Sequence, residues 1–131
     1  MKVRLLPVGV LFATLLAACA GTPPEAEKTV DELLAEKGLE IVEELDRLTV
    51  FNVHSWQYVN DHNVILEEGV SRRYLVELRN SCPETQWAQR IAFTSFGRIV
   101  ENTDRILVTN GGGHVDRCTM KTFYRLEKTA R

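Results

Sequence analysis

The sequence lacks the long apolar run that a transmembrane helix requires. The apolar segment near the N-terminus, residues 5–15, has about 11 residues, whereas about 20 helical residues are needed to cross a hydrocarbon core of about 30 Å. We therefore expect that this segment does not span a membrane.

The sequence also lacks the common signatures of catalytic, metal and phosphate-binding sites. Ser95 does not lie in a G-x-S-x-G turn, and His54, His62 and His114 show no metal-binding spacing such as H-E-x-x-H. The glycines at 111–113 are not followed by the Lys-Ser/Thr of a P-loop. We predict no catalytic residue, no metal site and no cofactor, and an enzyme is less favoured than an accessory protein or a ligand-binding module.

A positive segment, an apolar segment and small residues follow one another at the N-terminus. Lys2 and Arg4 precede residues 5–15, and Leu-Ala-Ala-Cys follows at 16–19, which is the layout of a secretory signal. The four-residue motif resembles the bacterial lipobox, in which the cysteine receives a diacylglyceryl group and becomes the first residue of the mature protein. The alternative is ordinary cleavage after Ala20, which also completes an A-x-A site and would release a soluble protein.

The lipobox resemblance implies a lipoprotein signal peptide over residues 1–18 and a lipid anchor on Cys19. Two or more acyl chains hold a protein at a bilayer stably, whereas one chain holds it only marginally. In bacterial lipoproteins a residue such as Ala20, rather than Asp, favours the outer membrane, so the resemblance implies that membrane, on its periplasmic side. Residues 19–28 are predicted as a tether of at most about 30 Å, which keeps the body near the membrane surface.

The charge balance disfavours a nucleic-acid partner. The chain has 16 basic and 18 acidic residues, and removal of the predicted signal with Lys2 and Arg4 leaves a net charge of −4, whereas nucleic-acid binders carry a basic face. Residues 25–47 hold nine acidic and three basic residues. We interpret this acidic segment as a solvated helix face, with docking on the body or on a basic partner as the alternative.

Two cysteines, Cys82 and Cys118, remain once Cys19 is lipidated. In an oxidising compartment such a pair is expected to form a disulfide. Metal ligation is the alternative, and it is disfavoured because the two residues lie 36 positions apart without a C-x-x-C spacing. A disulfide would support a folded body of only about 85 residues, for which a single core is marginal.

An acidic amphipathic helix is predicted over residues 29–48. Thr29 and Glu32 fit a capping box, and apolar residues recur at helical spacing through residue 48. Gly38 interrupts the segment, and a helix end at this glycine is the alternative. A continuous helix is preferred because the apolar stripe keeps its phase across Gly38.

The rest of the chain, residues 49–131, is predicted to be a disulfide-closed β domain. Segments rich in β-branched and aromatic residues alternate with turn residues, and we expect strands at 50–59, 64–66, 73–78, 90–96, 105–109 and 118–126. The predicted fold is mainly β (α+β): a small curled antiparallel sheet or barrel of about six strands, preceded by an amphipathic helix and closed by one disulfide.

Aromatic and arginine residues provide candidate binding side chains. Trp56 and Tyr74 would line a barrel mouth, with Arg72 and Arg73 at its rim, as a pocket for a small apolar or anionic ligand. Core packing of the aromatic residues is preferred, because a barrel of six short strands is barely wide enough for its own side chains. The adjacent arginines would equally suit the phosphates of an anionic lipid or lipopolysaccharide.

The order of several motifs resembles a known family. These motifs are Trp56 ahead of Asp61, Arg-Arg-Tyr-Leu-Val-Glu-Leu at 72–78, Cys82, Arg-Ile-Ala-Phe-Thr-Ser at 90–95, Asp104 and Arg117-Cys118. Over residues 48–128 they resemble a family of small proteobacterial envelope proteins classed as a domain of unknown function. Many of its members carry a similar lipobox, so the resemblance implies an envelope location and brings no activity with it.

These patterns together predict a bacterial envelope lipoprotein attached to a membrane through Cys19. The leading hypothesis is a non-enzymatic accessory protein that binds an envelope protein or lipid partner. The alternative is a small-molecule or lipid-binding β-barrel module.

The predicted disulfide has a measurable effect on stability. Replacement Cys82→Ser should lower the free energy of unfolding by roughly 3–4 kcal/mol, because the unfolded chain regains the entropy of a loop of about 37 residues. Urea denaturation under non-reducing conditions measures this difference. Unchanged stability, with both thiols free in the native protein, would contradict the pairing.

Overall fold

The computed structural model of the chain describes residues 26–50, 52–95 and 97–130. These ranges contain α1 (Val30–Glu36), β1 (Leu39–Leu45), β2 (Arg47–Thr49), β3 (Val53–Asn60), β4 (Asn63–Glu68), β5 (Arg72–Leu78), a 3-10 helix (Pro83–Gln86), β6 (Arg90–Phe93), β7 (Ile99–Glu101), β8 (Arg105–Thr109) and β9 (Val115–Lys128). The predicted signal peptide and Cys19 lie outside the described residues. Neither helix in the described ranges combines the length and apolar character needed to span a membrane.

Seven strands form one antiparallel sheet that curls into a half-barrel. Six of them lie in the order β3-β4-β5-β9-β8-β6, and β1 pairs with β9 beside this path. Strand β9 has 14 residues, and its length lets β8 pair with residues 115–119 while β1 pairs with residues 123–128. The predicted mainly β fold with a curled antiparallel sheet, a preceding helix and one disulfide is confirmed.

Both faces of the sheet carry buried apolar residues, since neighbouring residues of a strand point to opposite faces. One cluster, the main core, includes Leu66, Val76 and Phe123, and it also holds the disulfide. The second cluster includes Ile65 and Leu75 and lies under α1, whose Leu34 is buried against it. Coverage of both faces explains why β4 has three successive buried apolar residues, at 64–66, instead of an alternating pattern.

A two-stranded ribbon of β2 and β7 covers part of the main core. Leu48 and Val100 face each other in the register of this ribbon, and both are fully buried in the main core. These three-residue strands were not predicted from the sequence, because their burial depends on a partner about 50 residues away in the chain.

The predicted continuous helix over residues 29–48 is wrong. Helix α1 starts with the predicted capping box, in which the Thr29 hydroxyl accepts from the Glu32 amide and the Glu32 carboxylate accepts from the Thr29 amide. It ends before Gly38, whose φ of 71° lies in the left-handed region that suits glycine. The chain then enters β1, so β structure begins at Leu39 and not at residue 49.

Pairing with β9 is the physical reason for the change from helix to strand. Leu39 and Ile41 fit a two-residue period as well as a helical one, and as part of β1 they pack in the cluster under α1. The segment therefore packs on the body through its apolar residues, while its described acidic side chains stay exposed, as the preferred interpretation held. One of them, the Glu43 carboxylate, lies 3.2 Å from the Arg125 guanidinium.

The predicted disulfide between Cys82 and Cys118 is confirmed, with Cα atoms 6.1 Å apart. It joins the segment after β5 to the first half of β9, and both residues are buried in the main core. The Glu84 side chain also lies here, with a carboxylate oxygen within 4.8 Å of the two sulfur atoms, which are bonded to each other.

Substitution of Gly38 distinguishes the observed turn from a continuous helix. Gly38→Ala should destabilise the protein by about 1–2 kcal/mol, because an L-residue is strained at positive φ. In a helix interior the same change would stabilise by up to about 1 kcal/mol. The control is Gly112→Ala, where φ is not positive and the added Cβ meets only ordinary contacts. Stabilisation by Gly38→Ala in urea denaturation would contradict the turn.

Candidate functional site: a basic cleft between helix α1 and the sheet

The two adjacent arginines of the sequence analysis do not form one site. As neighbours in β5 they point to opposite faces of the sheet. The Arg72 guanidinium lies 3.3 Å from the carboxylate of Glu68, which is 1% exposed and belongs to the face of the main core. Arg73 lies on the other face, beside α1, and pairs with Glu67. Only Arg73 lines the cleft described below.

The two aromatic candidates lie in one row across the main-core face. Trp56 pairs with Leu66, and Leu66 pairs with Tyr74 in the register of β3, β4 and β5. Both rings are partly buried against the main core. They therefore contribute to packing on the face opposite Arg73, as the preferred interpretation held.

A cleft of about 800 Å³ opens between the end of α1 and the sheet. The turn after α1 supplies Lys37, and three neighbouring strands supply Gln57 of β3, Glu67 of β4 and Arg73 of β5. Lys128 contributes from the end of β9. The Thr129 amide donates to the Gly38 carbonyl at 2.9 Å, which joins the end of β9 to the turn and holds the two lysines at one cleft.

The charges around the cleft are mainly positive. Its lining within the described residues includes three cations, Lys37, Arg73 and Lys128, and one carboxylate, that of Glu67. The formal charge of these four groups is +2. Arg73 is partly buried, so its charge is screened less than the charges of Lys37 and Lys128, which are exposed.

A chain of polar contacts crosses the cleft wall. The Lys37 ammonium donates to the Gln57 amide oxygen at 3.4 Å, and the Gln57 amide nitrogen donates to the Glu67 carboxylate at 2.5 Å. Arg73 Nε lies 3.8 Å from the same carboxylate oxygen. That distance keeps a Coulombic attraction but is too long for a hydrogen bond.

The Arg73 guanidinium thus lies in the cleft without a hydrogen bond to its carboxylate partner. Its side chain is 25% exposed, and it has five N–H donors. Among the described residues, its side chain makes one polar contact, the long pair with Glu67, and Lys128 makes no ion pair. The arrangement can therefore accept a negatively charged group.

The three histidines lie apart from this cleft and from one another. His54 lies near the start of β3 and His62 lies just beyond its end, and the His54 ring contacts the Gly69 carbonyl at 2.7 Å. The His114 ring lies 3.0 Å from the Asp116 carboxylate. The fold therefore does not bring His54 to His62.

Two aspartates stabilise turns. The Asp104 carboxylate accepts from the Glu101 amide at 2.7 Å. The Asp61 carboxylate accepts from the Tyr58 hydroxyl, and its carbonyl accepts from the Cys82 amide at 2.7 Å. The hydrogen bond to Asp61, then burial and the aspartate charge, raise the pKa of Tyr58 from 10.0 to about 12.

Four polar residues of the cleft lining were not predicted as site residues from the sequence. Lys37 lay inside the predicted helix, and Lys128 lay beyond the predicted end of the last strand. Gln57 and Glu67 meet Arg73 only through the register of three strands. One feature of the sequence could have indicated the cleft. The alternation of side chains along the strand that contains Tyr74 places Arg73 on the face of the sheet opposite that ring.

The fold and the cleft define a small, mainly β protein whose curled sheet is closed by one disulfide. Over residues 1–131 the sequence matches the family described as "Family of unknown function (DUF6491)", and the chain belongs to this family. No curated protein and no solved structure matches the chain. The expected membership of a family of unknown function is confirmed, over more of the chain than the resemblance covered.

The contact between Tyr58 and Asp61 predicts a pH effect. Because the pKa of Tyr58 is raised in the folded state, the unfolded chain loses this proton first. The stabilisation is therefore complete below pH 10.0 and falls as the pH rises towards about 12. Asp61→Ala should shift ionisation of this phenol to lower pH in an absorbance titration. Asp104→Ala, which removes a turn aspartate without a tyrosine contact, is the control, and an unchanged titration in Asp61→Ala would contradict the assignment.

Proposed function

We propose that the protein is a bacterial envelope lipoprotein with a non-enzymatic accessory role, attached to the outer membrane through lipid on Cys19. The observation that carries the proposal is the Leu-Ala-Ala-Cys motif at 16–19, after a positive and an apolar segment. The family match includes this N-terminal region, so the segment belongs to the sequence that defines the family.

The lengths of the tether and of α1 place the cleft near the proposed anchor. The nine residues from Ala20 to Lys28 reach at most about 30 Å, and the seven residues of α1 add about 10 Å. The basic cleft begins at the C-terminal end of this helix. It would therefore lie within about 40 Å of the lipid, in reach of other components at the membrane surface.

The lining of the cleft favours a charged partner over an apolar one. Lysine and arginine side chains, rather than the aromatic residues Trp56 and Tyr74, surround it. A charged or polar group of an envelope protein or lipid would complement these cations. This supports an accessory role in which the body holds a partner near the membrane.

A second function, that of a small-molecule or lipid-binding module, is favoured by a different opening. A cavity of about 310 Å³ lies between the two outer strands of the half-barrel, β3 and β6, and is lined by Val53, Ile91 and Phe93 among others. Its volume is at the lower end of the range for ligand sites. An apolar ligand seated here would contact both open edges of the sheet.

Intact-mass analysis of full-length protein extracted from bacterial membranes tests the proposal. We expect a triacylated mass beginning at Cys19 with the other two cysteines oxidised, and gentle crosslinking in the same membranes should recover one recurrent partner. The Cys19→Ala variant should lose the acyl mass and leave the membrane fraction, because its lipid attachment site is gone.

Cys82→Ser is the matched control, since it removes a cysteine without touching the lipobox and should keep the acyl mass. An unlipidated wild-type mass beginning near Gly21 would contradict the anchor. A lipidated protein without any partner would contradict the accessory role and favour the ligand-binding module.

A further inference from the structure

We propose that the basic cleft binds a phosphate monoester, anchored by Arg73 and flanked by Lys37 and Lys128. The proposal deepens the accessory function by naming what the body binds, and it rests on that function only where the monoester is a lipid headgroup. A soluble phosphate compound would use the same side chains.

The state of Arg73 is the first argument. Three quarters of this side chain is withdrawn from solvent, and burial of a charged group is costly unless its donors are satisfied. Its carboxylate partner already accepts a close hydrogen bond from Gln57, at 2.5 Å, and stays 3.8 Å from Arg73. The planar guanidinium can therefore make paired hydrogen bonds to phosphate oxygens.

The amount of charge is the second argument, and it favours a phosphate over a carboxylate. The four charged groups of the lining sum to +2, and Gln57 holds Lys37 towards the cleft through a 3.4 Å contact. A phosphate monoester carries about −1.5 to −2 charges at pH 7, because its second pKa is near 6. A carboxylate carries only one, and a phosphodiester likewise carries one.

The size of the cleft is the third argument. Its volume of about 800 Å³ falls in the range of small-molecule sites, about 300–1,000 Å³, and exceeds what a phosphate group alone would fill. The side chains of Ala35 and Leu39 add apolar surface to the lining. The ligand is therefore expected to carry an organic portion next to its phosphate.

Calorimetric titration of the full-length protein in detergent micelles tests the site. The soluble probe is glycerol 3-phosphate, and the lipid probe is the same micelle doped with phosphatidic acid, whose headgroup is also a phosphate monoester. Micelles doped with phosphatidylglycerol, a phosphodiester, control for general attraction to anionic lipid.

Arg73→Gln should weaken binding of glycerol 3-phosphate at least tenfold, as expected for loss of charge-assisted hydrogen bonds. Lys128→Gln should weaken it about threefold, in keeping with loss of one exposed charge. Arg90→Gln removes the same charge from an exposed position on β6, across the sheet from the cleft, and should leave binding unchanged. If Arg73→Gln does not fold, the affinity of the Lys128→Gln variant for glycerol 3-phosphate tests the proposal, because Lys128 is exposed.

Failure of wild-type protein to bind glycerol 3-phosphate and phosphatidic acid would overturn the proposal. Equal losses in Arg90→Gln and the cleft variants would also overturn it, because they would indicate attraction without a defined site. Binding of glycerol 3-phosphate alone supports a soluble ligand, and preference for phosphatidic acid over phosphatidylglycerol supports a lipid headgroup.

The test separates this site from the proposed anchor. The Cys19→Ala chain contains the whole cleft and should bind glycerol 3-phosphate as the wild type does. Binding of glycerol 3-phosphate by a wild-type protein that is not lipidated would therefore support the phosphate site and contradict the lipid anchor. A lipidated protein that binds neither phosphate probe would support the lipid anchor and contradict the phosphate site.

Discussion

Backbone pairing along β9 is the constraint on which the other parts of the structure depend. This strand is bonded to β5 on one side, while β8 and β1 take its first and second halves. It also contributes Phe123, which is fully buried, and one half of the disulfide. Since strands twist, a strand of 14 residues at the centre of the sheet favours its curling into a half-barrel.

The position of the cleft follows from the same strand. The pairing of β1 with the end of β9 places α1 over the second apolar cluster. The bond from Thr129 to Gly38 then brings the turn after α1 against the end of β9. Side chains held on strands keep a defined geometry, so Gln57, Glu67 and Arg73 form a fixed wall.

Local patterns in the sequence were sufficient for much of the fold. The capping box at Thr29, the positions of the strands from β3 to β5, and the pairing of Cys82 with Cys118 were all predicted. The capping box and these strands depend on residues that are close together in the sequence. The disulfide could be predicted because only two cysteines remain once Cys19 is assigned to the lipid. The helix prediction failed at Leu39 because two periodicities fitted the same apolar residues, and a distant strand decided between them. The cleft could not be predicted for a related reason: Arg73 was a candidate, but its neighbours depend on strand register and on where β9 ends.

The central position of β9 also affects the order in which the protein can fold. Of the nine described strands, β9 is the last to be synthesised, and β1, near the start of the body, has no strand partner until β9 arrives. Contacts between such distant segments form slowly. A nascent chain would therefore be unable to complete its sheet until β9 has been synthesised. Closure of the sheet, and with it the disulfide through Cys118, therefore waits for the last strand of the chain.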